Sequence, residues 1–284
     1  MRKKILLPTD FSKNAWQAMN YAVELYQNDH CDFYVLNVFT ATSNILKSLL
    51  NMEPGSELYE TAKSNSEEGL AEVMDKLAFK YEHNPKHHFE TISTFNNPIE
   101  AIKEIVEQKD IDMIVMGTKG ETGSEHVAYG STAVYVMEKV RNCPVIVVPE
   151  ASKLAMPKEI VFPTSFKTHY KKRELAYLVE LAQKCQATVS ILYVSDDDLL
   201  ETKQEEHKQM LEEQLEDVSY EYHTLHYKAV EPAVNMFVES RDSDMVAFIN
   251  KKHSFFGSIL SNPMVKNIGF HSRVPILVMH DLRN

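Results

Sequence analysis

Residues 116–132 read MGTKGETGSEHVAYGST, in which two residues separate Gly117 from Gly120, nine separate Gly120 from Gly130, and Ser131 and Thr132 follow directly. These residue types at this spacing fit the binding of phosphate. A phosphate needs backbone N–H donors that come close, and a β-carbon on the approaching backbone obstructs them. Gly130 stands where a helix is expected to open, and the free N–H groups and dipole of a helix start favour an anion. Ser131 and Thr132 add hydroxyl donors. Lys119 adds a positive charge, and Met116 leads into the loop from an apolar run. Gly130 is also expected to hold a backbone geometry that only glycine adopts. The alternative is a glycine-rich turn into a helix that binds nothing.

A second group is Pro8, Thr9 and Asp10 in the run PTDFS. A carboxylate just past a strand can meet a ribose or a magnesium ion held by phosphates. It can equally cap the helix that follows, and one residue can do both.

The elements that position these groups repeat along the chain. Residues 4–12 read KILLPTDFS and residues 159–167 read EIVFPTSFK. NCPVIVVP at 142–149 is matched by RVPILVMH at 273–280, and DMIVMG at 112–117 by DMVAFI at 244–249. The chain therefore reads as two copies of one domain, 1–150 and 159–284, joined by a linker at 151–158. In the first copy, strands are expected at Lys4–Leu7, Phe33–Phe39, His87–Thr94, Met113–Met116 and Val145–Val148, the third near a sheet edge. Helices are expected at Asn14–Asn28, Glu57–His83, Pro98–Gln108 and Ser131–Val140, with a loop over 40–56. In the second copy the strands are Ile160–Phe162, Thr188–Val194, Val218–Tyr227, Met245–Phe248 and Ile276–Val278. Its helices are Lys171–Cys185, Leu199–Glu216, Pro232–Ser240 and about Asn262–Ile268. Short apolar strands alternating with amphipathic helices predict an α/β fold with a doubly wound parallel sheet. Ligands then belong at the carboxyl ends of the strands, near the switch point.

At Gly117, Gly120, Gly130 and Ser131 the sequence resembles the universal stress protein family, whose ATP-binding members carry Gly-x2-Gly-x9-Gly-Ser/Thr. The resemblance covers the whole chain as two family domains, strongly in the first and by architecture in the second. It implies an adenine nucleotide alpha hydrolase-like fold, a stress-response role and ATP as ligand, with ADP or AMP as alternatives and magnesium carried on the nucleotide. It implies that Asp10 sits beside the nucleotide and that the backbone of Val38, in VLNVF, meets the adenine edge. Val38 is otherwise a core residue. The resemblance further implies that Val145–Val148 and Ile276–Val278 pair within one chain in place of a homodimer contact; further dimerisation and an unidentified protein partner are left open.

The second copy departs from the pattern. Counting back from Pro275 as from Pro144, Gly117 maps to Phe248, Gly120 to Lys251 and Gly130 to Ser261, while Thr132 falls near Pro263 and Asp10 on Ser165; a one-residue gap changes these partners without restoring the glycines. Backbone sites that need to be bare carry β-carbons, so ATP is expected in the first copy only. Lys251, Lys252, His253 and His271 either receive another anion or form a solvated loop, and Phe255 and Phe256 pack into a core or an interdomain contact.

Bulk properties narrow the function. The chain has 284 residues, 44% hydrophobic and 25% charged, with a formal net charge of −11. That acidity opposes general nucleic-acid binding. No run approaches a membrane span, and Ile5-Leu6-Leu7 is too short for a signal peptide core, so a cytoplasmic place is expected. Cys31, Cys143 and Cys185 lack metal or redox spacing and read as buried thiols. His83, His87 and His88 lack standard zinc spacing, and Ser124 to His126 lack the context of a nucleophile elbow. The charge-rich stretch 201–216 reads as an exposed helix face. Three functions remain: a nucleotide-binding regulator; a slow ATPase or phosphoryl or nucleotidyl transferase, opposed by the absence of a Walker lysine motif; and a scaffold without nucleotide. No catalytic residue is assigned.

Overall fold

Strands buried on both faces have near-continuous apolar sequences, and helices must cover both faces. The computed structural model describes residues 2–40, 54–81, 84–118, 130–195, 199–250 and 273–280. In the first half, β1 (Lys3–Pro8), α1 (Lys13–Leu25), β2 (Cys31–Phe39), α2 (Glu57–Lys80) and β3 (His87–Phe95) are followed by α3 (Pro98–Lys109), β4 (Met113–Gly117), α4 (Ser131–Lys139) and β5 (Val145–Val148). The second half holds β6 (Glu159–Thr164), α5 (Lys172–Cys185), β7 (Thr188–Ser195), α6 (Thr202–Gln214), β8 (Tyr220–His226), α7 (Val230–Arg241), β9 (Met245–Asn250) and β10 (Ile276–His280). The expected elements are present with ends shifted by a few residues; the helix expected at 262–268 and most of the loop over 40–56 lie outside the described residues.

All ten strands join one sheet in the order β3-β2-β1-β4-β5-β10-β9-β6-β7-β8. Each half is parallel and repeats one topology, and β3 is an edge strand as expected. The halves meet where β5 runs antiparallel to β10, with Ile276 opposite Val147, Leu277 opposite Ile146 and Val278 opposite Val145. These are the terminal strands expected to pair. Alternate side chains divide the core. Ile5, Leu7, Phe33, Ile146, Phe162 and Leu277 pack beneath α1, α2, α5 and α6. Leu6, Leu36, Val147, Val161 and Val278 pack beneath α3, α4 and α7. Both layers continue across the seam.

The repeat holds residue by residue and locates the one-residue gap in the count. Ile5 pairs with Met113, and Ile160 with Met245. The N–H of Ile114 donates to the Pro144 carbonyl, as that of Val246 does to Pro275. Gly117 therefore corresponds to Ile249, not Phe248, and Thr118 to Asn250. The second copy is one residue shorter between the fourth strand and the proline, so counting back from Pro275 slips by one.

The shared Pro-Thr-x-Phe run forms the same turn twice. The N–H groups of Phe11 and Phe166 donate to the hydroxyls of Thr9 and Thr164, each at 3.0 Å. Both phenylalanines take a left-handed backbone, φ 66° and 54°, uncommon for a bulky residue. Phe11 lies against Gly69 of α2, where an added Cβ would come within 2.5 Å of the ring.

If the seam joins the halves into one core, Leu277→Ala lowers the stability of the whole chain by about 2–5 kcal/mol, the usual cost of a buried leucine truncation. Denaturant unfolding monitored by hydrogen exchange in each half separately should show both halves weakened together.

Candidate functional site

The chain passes from β1 to β2 on one side and returns to place β4 on the other, so the switch point of the first half lies between β1 and β4. Their carboxyl ends carry Pro8-Thr9-Asp10 and Gly117-Thr118. Side-chain and backbone bonds fix the end of β1. The Thr9 N–H donates to the Leu36 carbonyl at 2.8 Å, and Asn37 Nδ2 donates to the Thr9 carbonyl at 2.7 Å. Asp10 is exposed, and its Oδ1 accepts the N–H of Ser12 at 3.1 Å. The cap of α1 is Ser12, whose hydroxyl oxygen accepts the Ala15 N–H at 3.2 Å. Asp10 thus braces the turn, and the capping role proposed for it belongs to Ser12.

Val38 follows from strand geometry. Leu36 turns its carbonyl toward β1, and backbone groups two residues on point to the same side. β1 ends at Pro8, so the N–H and C=O of Val38 face the space that β1 has left. Its half-buried side chain packs on the opposite layer. Met116 is a core residue of β4 beneath α3 and α4.

Gly117 is glycine for a reason the sequence argument missed. An added Cβ would lie 2.9 Å from Cγ and Oδ1 of Asn14 and 3.1 Å from its backbone carbon. Asn14 is 4% exposed. Its Nδ2 donates to the Val148 carbonyl at 2.8 Å, and its Oδ1 accepts the Thr118 hydroxyl at 3.0 Å. One buried amide thereby ties α1 to the ends of β4 and β5. The available signal was a polar residue on the apolar face of α1 beside Ala15 and Ala18.

Gly130 is the N-cap of α4, with φ −66° and ψ 156°. Any residue adopts this backbone, so the expected glycine-only geometry is overturned. Its N–H donates to the Thr118 carbonyl at 2.7 Å, which closes the base of the loop. What glycine leaves out is a capping side chain. Helices α1, α2 and α3 open on Ser12, Ser56 and Asn97, whose side chains accept helix N–H groups; α4 opens with no side-chain cap and no acid in its first turn. Its first N–H groups have no acceptor within the helix. Ser131 and Thr132 are exposed beside them. Lys119 and Gly120 lie outside the described residues, as do Ser124 and His126.

The second half fills the corresponding place. Ile249 replaces Gly117 and is 6% exposed. The Thr164 hydroxyl, counterpart of that of Thr9, is hydrogen-bonded to the Tyr170 hydroxyl. Ser165 replaces Asp10. Lys251, Lys252, His253, Phe255, Phe256, Ser261, Pro263 and His271 lie outside the described residues.

Cys31 and Cys143 are buried and Cys185 half-buried, all free thiols. Burial pushes Cys31 up to about 12 and Cys185 up to about 11, and raises Cys143 as well, which opposes thiolate chemistry. His87 donates Nε2 to the Tyr26 carbonyl at 3.0 Å, and burial lowers its pKa. His83 lies outside the described residues. Among the described residues, no group of three His, Cys, Asp or Glu could hold a metal ion, and no helix is long and apolar enough to cross a membrane.

Comparison with known proteins bears on this geometry. The sequence profile of the universal stress protein family matches residues 1–149. Universal stress protein MJ0531 of Methanocaldococcus jannaschii is 34% identical over 152 residues, 53% of this chain and 84% of that one. Universal stress protein MJ0577 of the same organism is 29% identical over 164 residues, 52% of this chain and 95% of that one. A universal stress protein from Archaeoglobus fulgidus shares the fold over 97% of this chain and 95% of its own, with TM-score 0.67 and 18% identity.

The contact between Gly117 and Asn14 makes a compensation test. Gly117→Ala should cost about 1–3 kcal/mol, as overpacking does. The same change made on an Asn14→Ala background should cost less than half as much, read from a double-mutant cycle in denaturant. Equal costs on both backgrounds would show that Asn14 does not impose the glycine.

Proposed function

This chain belongs to the universal stress protein family, and on that footing we propose that its first half binds ATP, its second half does not, and the protein acts as a nucleotide-responsive regulator in stress. The carrying observation is the start of α4. A helix with no side-chain cap and no first-turn acid opens at Gly130 with two exposed hydroxyl residues, and such a start favours an anion. Ser131, Thr132 and the first N–H groups of α4 would receive phosphate oxygens. Lys119 and Gly120 complete the family's motif in sequence. The backbone of Val38 would meet the adenine edge, with Pro8 and Thr9 forming the adjoining wall. Asp10 would meet the ribose or a magnesium ion on the phosphates, as an exposed carboxylate already braced by its own turn. ADP or AMP would use the same contacts in part.

We assign residues 1–150 to the nucleotide module, 151–158 to the linker and 159–284 to a degenerate module. Ile249 and the Tyr170–Thr164 pair support the exclusion of nucleotide from the second. The described groups at the crevice bind and orient; the role proposed for the nucleotide is to bias conformation or partner choice. We read the protein as cytoplasmic.

The test is calorimetric titration of the nucleotide-stripped chain with Mg-ATP. One site per chain is expected. Ser131→Asp places an acid where the helix dipole welcomes it, worth about 0.3–1 kcal/mol to the helix, yet it repels phosphate. It should weaken ATP at least about tenfold, the equivalent of 1.4 kcal/mol, with no loss of thermal stability. Two sites per chain would overturn the assignment to one half. No binding by the folded wild type would leave a scaffold.

A further inference from the structure

Helix α4 is held at its two ends by different halves of the chain. At its start, Gly130 is bonded to Thr118 of the first half, 2.7 Å from N to O. At its end, the Met137 carbonyl accepts Nδ2 of Asn250 at 2.9 Å, and Arg141 Nη2 donates to the Asn250 carbonyl at 3.0 Å. Asn250 is the last residue of β9, in the second half, and is 6% exposed. The last four carbonyls of a helix have no partner inside it. That of Met137 is among them, and the second half supplies its donor. The guanidinium just past the helix end also suits the negative pole of the dipole.

Asn250 occupies the place that Thr118 holds in the first half. Thr118 turns to Asn14 of its own half, whereas Asn250 turns across the seam to α4. The strand end that would begin a phosphate loop in the second half has become the C-terminal cap of the first half's phosphate helix.

We propose that Asn250 is a positioning residue for the phosphate end of the nucleotide site in the first half, acting through α4. The proposal rests on the nucleotide reading given above. Nine residues of helix span about 14 Å and transmit displacement as a rigid rod. Ala133, Val136 and Met137 bury one side of that rod, and the Asn250 bonds fix its far end. The direction of the first-turn N–H groups is then set from both halves. Hydrogen bonds weaken steeply as the donor angle departs from linear, so the phosphates sense that direction. Linkage makes the effect reciprocal: phosphate at the start of α4 tightens the Asn250 contact at its end.

The experiment uses the full chain and two variants, Asn250→Ala and Arg141→Met, each titrated with Mg-ATP and with adenosine. In both, the ATP dissociation constant should rise about fivefold or more, the lower range of measured couplings. Adenosine should keep its wild-type affinity, because the Val38 edge does not run through α4. A purely structural role would lower the unfolding midpoint and leave the ratio of ATP to adenosine affinity unchanged; that result overturns the proposal. If Asn250→Ala does not fold, Arg141→Met decides, since it removes the Arg141–Asn250 bond from a half-buried position. Wild-type protein that binds no ATP overturns the nucleotide reading, and this inference with it. ATP binding that Ser131→Asp weakens but both other variants leave unchanged overturns this inference alone.

Discussion

The antiparallel pairing of β5 with β10 is the constraint on which the rest of the molecule depends. Each half ends its sheet on a strand with apolar side chains on both faces. An exposed strand of that kind is a liability, because its free N–H and C=O groups and apolar surface invite pairing with other chains. Here the two liabilities cancel. Val145–Val148 and Ile276–Met279 are all but inaccessible to solvent, and two five-stranded sheets become one. The seam also sets what lies over it. Over it, Lys3 of β1 pairs with Glu180 of α5 at 2.6 Å, and Lys184 of α5 pairs with Asp29 and sits over the ring of Tyr26, the C-cap of α1, at 4.2 Å. On the opposite layer, α4 comes within reach of the end of β9.

Within this frame the two crevices differ by a side chain at the end of the fourth strand. The turn after the first strand survived in both halves, with its threonine–amide bond and left-handed phenylalanine. The end of the fourth strand did not. In the first half Gly117 admits Asn14, and Asn14 joins β4, β5 and α1. In the second half Ile249 occupies the corresponding position, and the polar residue that follows it bonds across the seam. A β-carbon at Gly117 would crowd Asn14 at 2.9 Å, so the first arrangement favours glycine there.

Much of the fold was legible because strand and helix signals were local. Ile5-Leu6-Leu7 and Val145–Val148 are short apolar runs, and Ala15, Ala18, Met19 and Ala22 have helical spacing. The pairing of the terminal strands was implied by the family resemblance. The site was legible in outline and not in cause. The spacing of the glycines marks a loop, yet the need for Gly117 arises from Asn14, more than a hundred residues earlier in the chain, and no local pattern carries that contact. Gly130 reads as a conformational glycine, but its backbone is ordinary and its contribution is the absence of a cap. The slip from Ile249 to Phe248 has a simple origin as well. Residues between paired strands can be lost without disturbing the sheet, so register follows the ladder and not the count.

A degenerate copy that merely filled space would need only an apolar strand to satisfy β5. The second half supplies more than that. Asn250 is polar and buried, and burying an amide is costly unless its groups are bonded. Its side-chain Nδ2 donates to the Met137 carbonyl in the other half, and its backbone carbonyl accepts from Arg141. An apolar residue would close the same space without the amide's desolvation, but it would leave the Met137 carbonyl without this donor. The polar choice costs something in packing and supplies that donor. Equivalent strand ends thus serve different contacts: Thr118 bonds to Asn14 of its own half, and Asn250 caps α4 of the other half. On the reading proposed above, the nucleotide module of residues 1–150 takes part of its support from Asn250 of the second half.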